Sequence, residues 1–332
     1  MSECVLVTGG AGYIGGIVTS QLLGRGYEVV VLDDLSNSYK ASVAAKSKFV
    51  QGSIADRALL DQIFRENKVD AVMHFAAFIE AGESMKYPEK YFRNNTANAL
   101  TLLEALITHG VRRFVFSSTA ALYGTPERTP IEEEDKLQPT NAYGESKLLV
   151  ERMLAWMNRI HGLRYACLRY FNAAGAAGER GEDHHPESHL IPLILQVALG
   201  QRENIAIYGT DYPTPDGTCV RDYVHISDLS SAHLLALEAL KEKEKLIYNL
   251  GNGKGFSVRE VIETVRSITR HAIPVKEVAR RAGDPAVLVA SSEKIKRELG
   301  WKPEYPGLDA IIRTAWEWRR EHPNGYADVA AL

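Results

Sequence analysis

The first half of this chain predicts a doubly wound α/β fold, a parallel sheet with helices on both faces. Three observations carry that prediction. Short β-branched runs alternate with longer amphipathic segments, a glycine-rich turn separates the first run from the first helical pattern, and an acidic pair ends the second run. Parallel neighbours need a crossover between them, and strand and helix patterns in alternation supply it. Strands are expected at Cys4 to Thr8, Glu28 to Leu32, Lys48 to Gln51, Ala71 to Phe75, Phe114 to Ser117 and Tyr165 to Leu168. The regularity fades after Tyr170, so residues 1–172 are read as one domain and 173–332 as a smaller, irregular α/β domain. A segment near 219–252 returns to the first domain, because Leu246 to Leu250 reads as one more strand. A helix is expected over Ser227 to Glu242, and another opens where Ser257 and Glu260 have capping-box spacing.

The first turn of this fold carries chemistry. Thr8-Gly-Gly-Ala-Gly-Tyr-Ile-Gly15 places glycines at 9, 12 and 15 between a predicted strand and a predicted helix. Such glycines let backbone approach a pyrophosphate, and the helix N-terminus beyond them favours negative charge. The second strand runs into Leu32-Asp33-Asp34. A carboxylate there can bond ribose hydroxyls and repels a 2'-phosphate, which favours NAD over NADP.

Tyr143-Gly-Glu-Ser-Lys147 contains the one Tyr-x-x-x-Lys pair in the chain. At i, i+4 spacing both side chains leave one face of a helix. A phenol titrates near ~10 in water and is a poor base at neutral pH. A lysine charge at about 6 Å, in an effective dielectric near 20, contributes roughly 3 kcal/mol toward the phenolate, or about two pKa units. A second positive charge, such as an oxidised nicotinamide ring, would supply the remainder.

Composition narrows the remaining possibilities. With 332 residues, 45% hydrophobic and 24% charged, the chain can build a sizeable core. A net charge of -3 with scattered Lys and Arg leaves no basic footprint for nucleic acid. No apolar run is long enough to span a bilayer, and the N-terminus lacks a signal-peptide pattern. Cys4, Cys167 and Cys219 are odd in number and lie in apolar or strand-like sequence, which fits buried free thiols and a cytoplasmic location.

The motifs in order resemble the extended short-chain dehydrogenase/reductase family, most closely its UDP-sugar 4-epimerase branch. The resemblance runs through Thr8 to Gly15, Leu32 to Asp34, His74-Phe75-Ala76-Ala77, Gly82-Glu83-Ser84, Ser117-Ser118-Thr119 and Tyr143 to Lys147. It continues through Arg169-Tyr-Phe-Asn172, Asp211-Tyr-Pro-Thr214, Asp216-Gly-Thr218 and Val220-Arg-Asp-Tyr-Val-His225. It implies a Rossmann-type sheet, tightly bound NAD, and interconversion of UDP-galactose and UDP-glucose through a transient 4-keto intermediate. The catalytic residues so implied are Tyr143 as base, Lys147 as holder of the nicotinamide ribose, and Thr119 on the sugar 4-hydroxyl. Cofactor contacts fall on Gly9, Gly12, Tyr13, Ile14, Gly15, Asp33, Asn37, Ser53, Ile54, Phe75, Ala76, Ala77, Asn94, Ser117, Tyr143, Lys147 and Tyr170. Substrate contacts fall on Thr119, Tyr143, Phe171, Asn172, His189, Leu190, Tyr208, Arg221, Tyr223, Arg281, Asp284 and Leu288.

Departures from the pattern are specific. Ile79 stands for a lysine that touches the cofactor, Ser53 for an aspartate, and His189 for an asparagine. Family dehydratases carry an acidic pair after the threonine; here Ala120-Ala121 follows, which disfavours dehydration. The position gating the sugar pocket aligns with Leu288, smaller than the tyrosine of some members, which raises N-acetylhexosamine nucleotides as alternative substrates; UDP-pentoses are a further alternative. A non-catalytic NAD-binding sensor is the alternative from another class, and the intact Thr119, Tyr143 and Lys147 argue against it.

Two features are set aside. His184, His185 and His189 beside Glu182 and Asp183 read as a solvated loop, because no regular helix brings them to ligand spacing, and no metal is expected. Trp316 and Trp318 with Ile311 and Ile312 read as core. Helical segments at Asn94 to Leu106 and Tyr143 to Ile160 resemble those that pair subunits in the family, so a homodimer is expected.

Overall fold

Alternating strand and helix patterns become a seven-stranded sheet in the computed structural model, which describes residues 2–281 and 284–328. In chain order the first elements are β1 (Cys4–Thr8), α1 (Tyr13–Gly24), β2 (Glu28–Asp33), β3 (Lys48–Gln51), α2 (Arg57–Glu66) and β4 (Val69–His74). Two single turns, α3 (Ala81–Ser84) and α4 (Pro88–Tyr91), lead through a π-helical stretch at Phe92–Ala97 into α5 (Asn98–Thr108). Then come β5 (Arg113–Thr119), α6 (Ala142–His161) and β6 (Arg164–Tyr170). The six strands expected in this region all form, with ends shifted by at most two residues.

The remainder is β7 (Asn172–Ala174), α7 (Leu190–Ala198), β8 (Ile205–Tyr208), β9 (Val220–His225), α8 (Ile226–Ala239) and β10 (Lys245–Leu250). It ends with β11 (Gly255–Ser257), α9 (Val258–Thr269), β12 (Val275–Val278), β13 (Val287–Leu288), α10 (Glu293–Leu299) and α11 (Leu308–Glu321). The helix expected over Ser227 to Glu242 stops earlier, at Ala239. Ser257 caps α9 through the expected box, its hydroxyl accepting from Glu260 N while Glu260 accepts from Ser257 N.

The large sheet has the order β10-β6-β5-β4-β1-β2-β3, with parallel pairing from β3 across to β5. Strand order reverses between β1 and β4. In open α/β sheets, ligands bind beyond the carboxyl ends of strands at such a switch point. β1 is buried along its whole length, as a central parallel strand must be.

The chain divides into two compact units by internal contacts. The first comprises residues up to Gly124, Leu137–Arg169 and Ser230–Tyr248; the second comprises Thr125–Lys136, Tyr170–Leu229 and everything from Asn249. The core of the first unit joins Leu6, Val30, Leu32, Val72, Phe114 and Phe116 of the sheet to Leu102, Leu106, Val150 and Leu154 of the helices. The second unit packs Ile191, Ile194 and Leu195 against Val261, Val265, Ile311, Ile312 and Trp316. Trp316 and Trp318 are buried, as their helical spacing predicts. No helix among the described residues is long and apolar enough to cross a membrane.

Candidate active site

The glycine turn folds because Gly9 adopts a positive φ of 72°, and a Cβ there would lie 2.6 Å from Ala76 N. The loop after β1 therefore lies directly against the segment after β4, with Phe75 N donating to Thr8 O at 2.9 Å. The N-cap of α1 is Gly12, which has no side chain to accept from the first-turn N–H groups. Those groups suit a pyrophosphate. Tyr13 and Ile14 open the helix, and Gly15 is buried within its first turn.

Asp33 is buried at the end of β2. Its carboxylate accepts from Ala11 N at 2.9 Å, Leu35 N at 2.9 Å and Ser38 Oγ at 2.7 Å. A carboxylate offers about four lone-pair positions, so one remains for a ribose hydroxyl. These residues fit a dinucleotide. Asn37 is exposed on the following loop, and Ile54 is buried beside Ser53, whose hydroxyl accepts from Ala55 N.

The helix that carries Tyr143 and Lys147 is fixed at its start. Asn141 caps α6 by accepting from Gly144 N at 2.8 Å, and the Ser84 hydroxyl accepts from Tyr143 N at 3.1 Å. Gly144 cannot be enlarged, since its Cβ would meet Ala121 O at 2.7 Å. That contact draws the start of α6 against the turn following Thr119. The Thr119 hydroxyl, which also accepts from Ala121 N at 3.1 Å, is hydrogen-bonded to the Tyr143 phenol. One turn on, Lys147 Nζ donates to Ser117 O at 2.9 Å and lies 4.9 Å from the Phe116 ring centroid. Thr119, Tyr143 and Lys147 are thus brought together at the end of β5, and all three belong to the first unit.

Their electrostatics depart from the simple expectation. Burial pushes the Tyr143 phenol up to about 12, and the nearby Glu80 carboxylate adds to the rise, while the Thr119 hydrogen bond works the other way. The same burial pushes the Lys147 ammonium down to about 7, which weakens its hold on the proton at neutral pH. The lowering of Tyr143 expected from Lys147 does not contribute here, and burial dominates.

Beside the expected contact Asn94, several residues with no expected role position the site. Asn94 sits in the π-helical stretch, where a wider turn marks many functional sites. Its neighbour Asn95 is buried, accepts from Phe78 N at 2.9 Å and donates to Phe78 O at 3.0 Å and Ser146 Oγ at 3.1 Å. Thr96 donates to Ser146 O at 3.0 Å. The residue before Lys147 is held from this side. From the other side, Glu151 accepts from Ser118 Oγ at 2.6 Å and pairs with Arg169, whose Nη1 donates to the Tyr123 hydroxyl at 2.9 Å. Buried His74 meets Thr8 Oγ1 at 2.7 Å, and burial, aided by the Lys147 charge, pushes its imidazole down to about 3, so it is neutral.

In the second unit, Arg221 on β9 donates to Pro285 O at 2.8 Å and lies 3.7 Å from Asp284, while Leu288 on β13 is its register partner. The Arg281 guanidinium stacks 3.8 Å above the Tyr208 ring centroid. Asn172 donates to Asp222 O at 2.8 Å, fastening β7 beside Tyr223 on β9. Phe171 precedes it, and its N–H donates to Leu250 O. Buried Asp222 accepts from Asn252, Gly253 and Ala290 N–H groups, and burial, opposed by these bonds, raises its carboxyl to about 6. His189 caps α7 and Leu190 is its first residue. The His189 side chain is 42% exposed, but its Nδ1 is enclosed and lies 2.8 Å from Glu182 Oε1. The reading of residues 182–189 as a solvated loop is corrected here, because the Glu182 and Glu187 side chains are only 8% and 5% exposed.

A sheet running β3-β2-β1-β4-β5-β6, a glycine loop beyond β1 and an acidic residue ending β2 define the doubly wound dinucleotide-binding class. Thr119, Tyr143 and Lys147 add a hydroxyl, a phenol and an amine gathered at the end of β5. The chain belongs to the NAD dependent epimerase/dehydratase family, whose sequence model matches residues 5–251. It is 53% identical to the UDP-glucose 4-epimerase of Halalkalibacterium halodurans over 97% of both chains. The crystal structure of UDP-glucose 4-epimerase from Brucella ovis in complex with NAD is 45% identical, covering 95% of this chain and 98% of that one, with a TM-score of 0.92. The Bifidobacterium longum enzyme, in complex with NAD+ and UDP, is 38% identical over 97% and 100% with a TM-score of 0.93.

Proposed function

We propose that this chain is an NAD-dependent isomerase that interconverts UDP-galactose and UDP-glucose at C4. The observation that carries the reading is the Tyr143 phenol, half-buried, hydrogen-bonded to Thr119 and one helical turn from Lys147. NAD, when bound, supplies the acceptor and then the donor of the C4 hydride. Tyr143 takes the proton of the 4-hydroxyl, which Thr119 orients, and returns it at the end, serving first as base and then as acid. Between the two transfers the 4-keto sugar turns about its link to the diphosphate. A nucleotide held firmly and a sugar held loosely make that turn possible.

For the cofactor we assign Gly9, Gly12, Tyr13, Ile14 and Gly15 to the pyrophosphate, and Asp33 to the adenosine ribose. Asn37, Ser53 and Ile54 flank the adenosine end; Phe75, Ala76, Ala77, Asn94, Ser117, Lys147 and Tyr170 serve the remainder. For the nucleotide-sugar we assign Arg221 and Arg281 to the diphosphate, where a planar guanidinium bonds oxygens in pairs. Tyr208 takes the uracil, and Phe171, Asn172, Leu190, Tyr223, Asp284 and Leu288 complete the set. His189 is left out, because its ring faces Glu182 and Glu187. On this reading residues 1–172, with the later segment near 219–252, serve the dinucleotide, and 173–332 serve the UDP-sugar.

The test is to denature the purified protein, identify the released nucleotide, and assay a panel of UDP-sugars with no NAD added. Release of NAD and turnover of UDP-galactose are expected. Bound NAD with no turnover of any UDP-sugar would instead establish a sensor. Turnover of N-acetylated substrate in the same panel is expected if Leu288 leaves room for the acetyl group, and its absence beside normal UDP-galactose turnover would remove that extension.

We further infer a cytoplasmic homodimer. Three buried free thiols suit a reducing compartment. Trp156 and Ile160, one turn apart on α6, are 60% and 64% exposed, an apolar pair that a second copy would cover. Sedimentation should give twice the chain mass, and Trp156→Glu should give one chain mass. A wild-type monomer at micromolar concentration, or the protein in a periplasmic or secreted fraction, would overturn the corresponding part.

A further inference from the structure

The segment entering α7 brings four metal-ligating side chains to one point. One ligand atom each from Glu182, His184, Glu187 and His189 lies within 4.8 Å of all the others. His189 Nδ1 lies 2.8 Å from Glu182 Oε1 and 3.4 Å from Glu187 Oε1; His184 Nδ1 lies 3.4 Å from Glu182 Oε1 and 3.9 Å from Glu187 Oε2. The four belong to one unit, and none has a part in the proton transfer proposed above.

The cluster is not explained as a set of finished ion pairs. Glu187 Oε2 is inaccessible to solvent and accepts no hydrogen bond, although its side chain is only 5% exposed. The other oxygen, Oε1, is occupied by the backbone N–H groups of Ser188 and His189, each at 2.9 Å. Those two bonds fix the carboxylate so that Oε2 faces the imidazoles. His189 Nδ1 is likewise inaccessible and, in spite of its 2.8 Å approach to Glu182, makes no aligned hydrogen bond. A buried carboxylate oxygen with no partner costs about 1–3 kcal/mol or more, so such a group in a folded protein calls for an occupant.

Neighbouring charges do not supply one. Asp183 is turned to Arg319 at 3.5 Å and to Tyr326 N at 2.9 Å, so it neither joins the cluster nor neutralises it. Arg319 Nη2 donates to the backbone carbonyl of Glu182 at 3.1 Å, which holds that residue from behind. The first turn of α7 holds the cluster from the other end, because His189 is its N-cap and Ile191, two residues on, lies in the unit's core.

We propose that Glu182, His184, Glu187 and His189 form a closed four-coordinate site for a divalent cation of the zinc class, with a structural role. Two imidazole nitrogens and two carboxylate oxygens are a donor set that Zn2+ accepts tetrahedrally at about 2.0–2.2 Å. Ligands at that radius stand roughly 3.4 Å apart, so the present separations of 2.8 to 4.8 Å need adjustments of about 1 Å, within reach of side-chain rotation. Magnesium is a poorer match, since it prefers six oxygen donors and keeps its waters. The ion would replace the electrostatic role of imidazolium protons and tie residues 182–189 to the start of α7. The spacing Glu-x-His-x-x-Glu-x-His has no helical period, and the loop path rather than one helix face produces the convergence.

The experiment uses the full-length protein, stripped with a chelator and titrated with ZnCl2 by calorimetry, with MgCl2 in parallel. One equivalent of zinc is expected to bind, with a Tm that rises with zinc concentration. Glu187→Gln, nearly isosteric, should weaken binding about 10–100-fold. A Co2+ derivative should show the intense visible bands of a four-coordinate ion, and these should be lost in Glu187→Gln. Absence of saturable binding to the wild type overturns the proposal. So does zinc binding that Glu187→Gln leaves unchanged, since the ion would then sit elsewhere. If His184→Gln fails to fold, the wild-type cobalt spectrum and the Glu187→Gln titration still decide.

Discussion

Tyr143→Phe should leave the protein folded, retain its bound NAD and lose about 10^3-fold in kcat for UDP-galactose. The substitution removes one oxygen from a half-buried ring, so packing changes little. What it removes is the phenol oxygen hydrogen-bonded to Thr119, the atom assigned to accept the proton. General acid–base groups contribute about 10^2–10^4 in rate, and this one acts twice in each turnover, so the middle of that range is a restrained expectation. KM should change far less than kcat, because the phenol is needed while the proton moves. Thr119→Val is the companion: it leaves the base and removes its orienting partner, and a smaller loss is expected. The measurement is steady-state epimerisation together with NAD content of the denatured variant. A Tyr143→Phe rate within tenfold of wild type would show that another group carries the proton.

The pair at 143 and 147 was readable because its geometry is local. Helical spacing alone brings the side chains to one face, and the glycine loop and Asp33 are local in the same sense. β1, β2, β4 and β5 were readable because buried parallel strands are written as apolar runs rich in β-branched residues. α7 was not: Leu190–Ala198 is a short, mostly apolar run with Pro192 in its first turn, and such a run is hard to tell from a buried strand by pattern alone. The cluster at 182–189 was misread for a related reason. Its ligands converge through a loop whose path depends on Arg319 and on the packing of α7, neither of which spacing reveals. The effective basicity of Tyr143 was also misjudged from sequence, since charge separation can be guessed from a helix but burial cannot.

Glu151 shows the same division between local and tertiary information, and it carries the second large effect. Two turns beyond Tyr143 on α6, a glutamate reads as a solvated helix residue. Instead it is buried, with Arg169 Nε donating to Oε1 at 3.0 Å and Nη2 to Oε2 at 2.6 Å. The side chains are 6% and 3% exposed. Burial works against the Arg169 charge, but the Glu151 carboxylate more than offsets it and holds the guanidinium well above its usual range. Arg169 cannot be neutralised once Glu151 is gone, because arginine keeps its proton even when buried, and Glu151 without Arg169 must either stay charged or take up a proton.

Glu151→Leu should therefore cost about 3–5 kcal/mol of stability, as should Arg169→Met, each leaving one charge enclosed and unpaired. A typical domain has about 5–15 kcal/mol in total, so either loss is severe. The double variant Glu151→Leu with Arg169→Met should cost much less than the sum, since replacing both members of a buried pair by apolar groups is often close to neutral. Function separates the two outcomes further. Ser118, which donates to Glu151, directly precedes Thr119, and Tyr123, which accepts from Arg169, ends the turn that Gly144 packs against. The double variant should recover stability without recovering full kcat, because the ties that hold α6 to the end of β5 are absent even when no charge is stranded. Urea unfolding of the four proteins gives the coupling energy, and kcat of the double variant gives the positioning term. Additive stability losses would show that the pair is not coupled, and wild-type kcat in a stable double variant would show that it positions nothing.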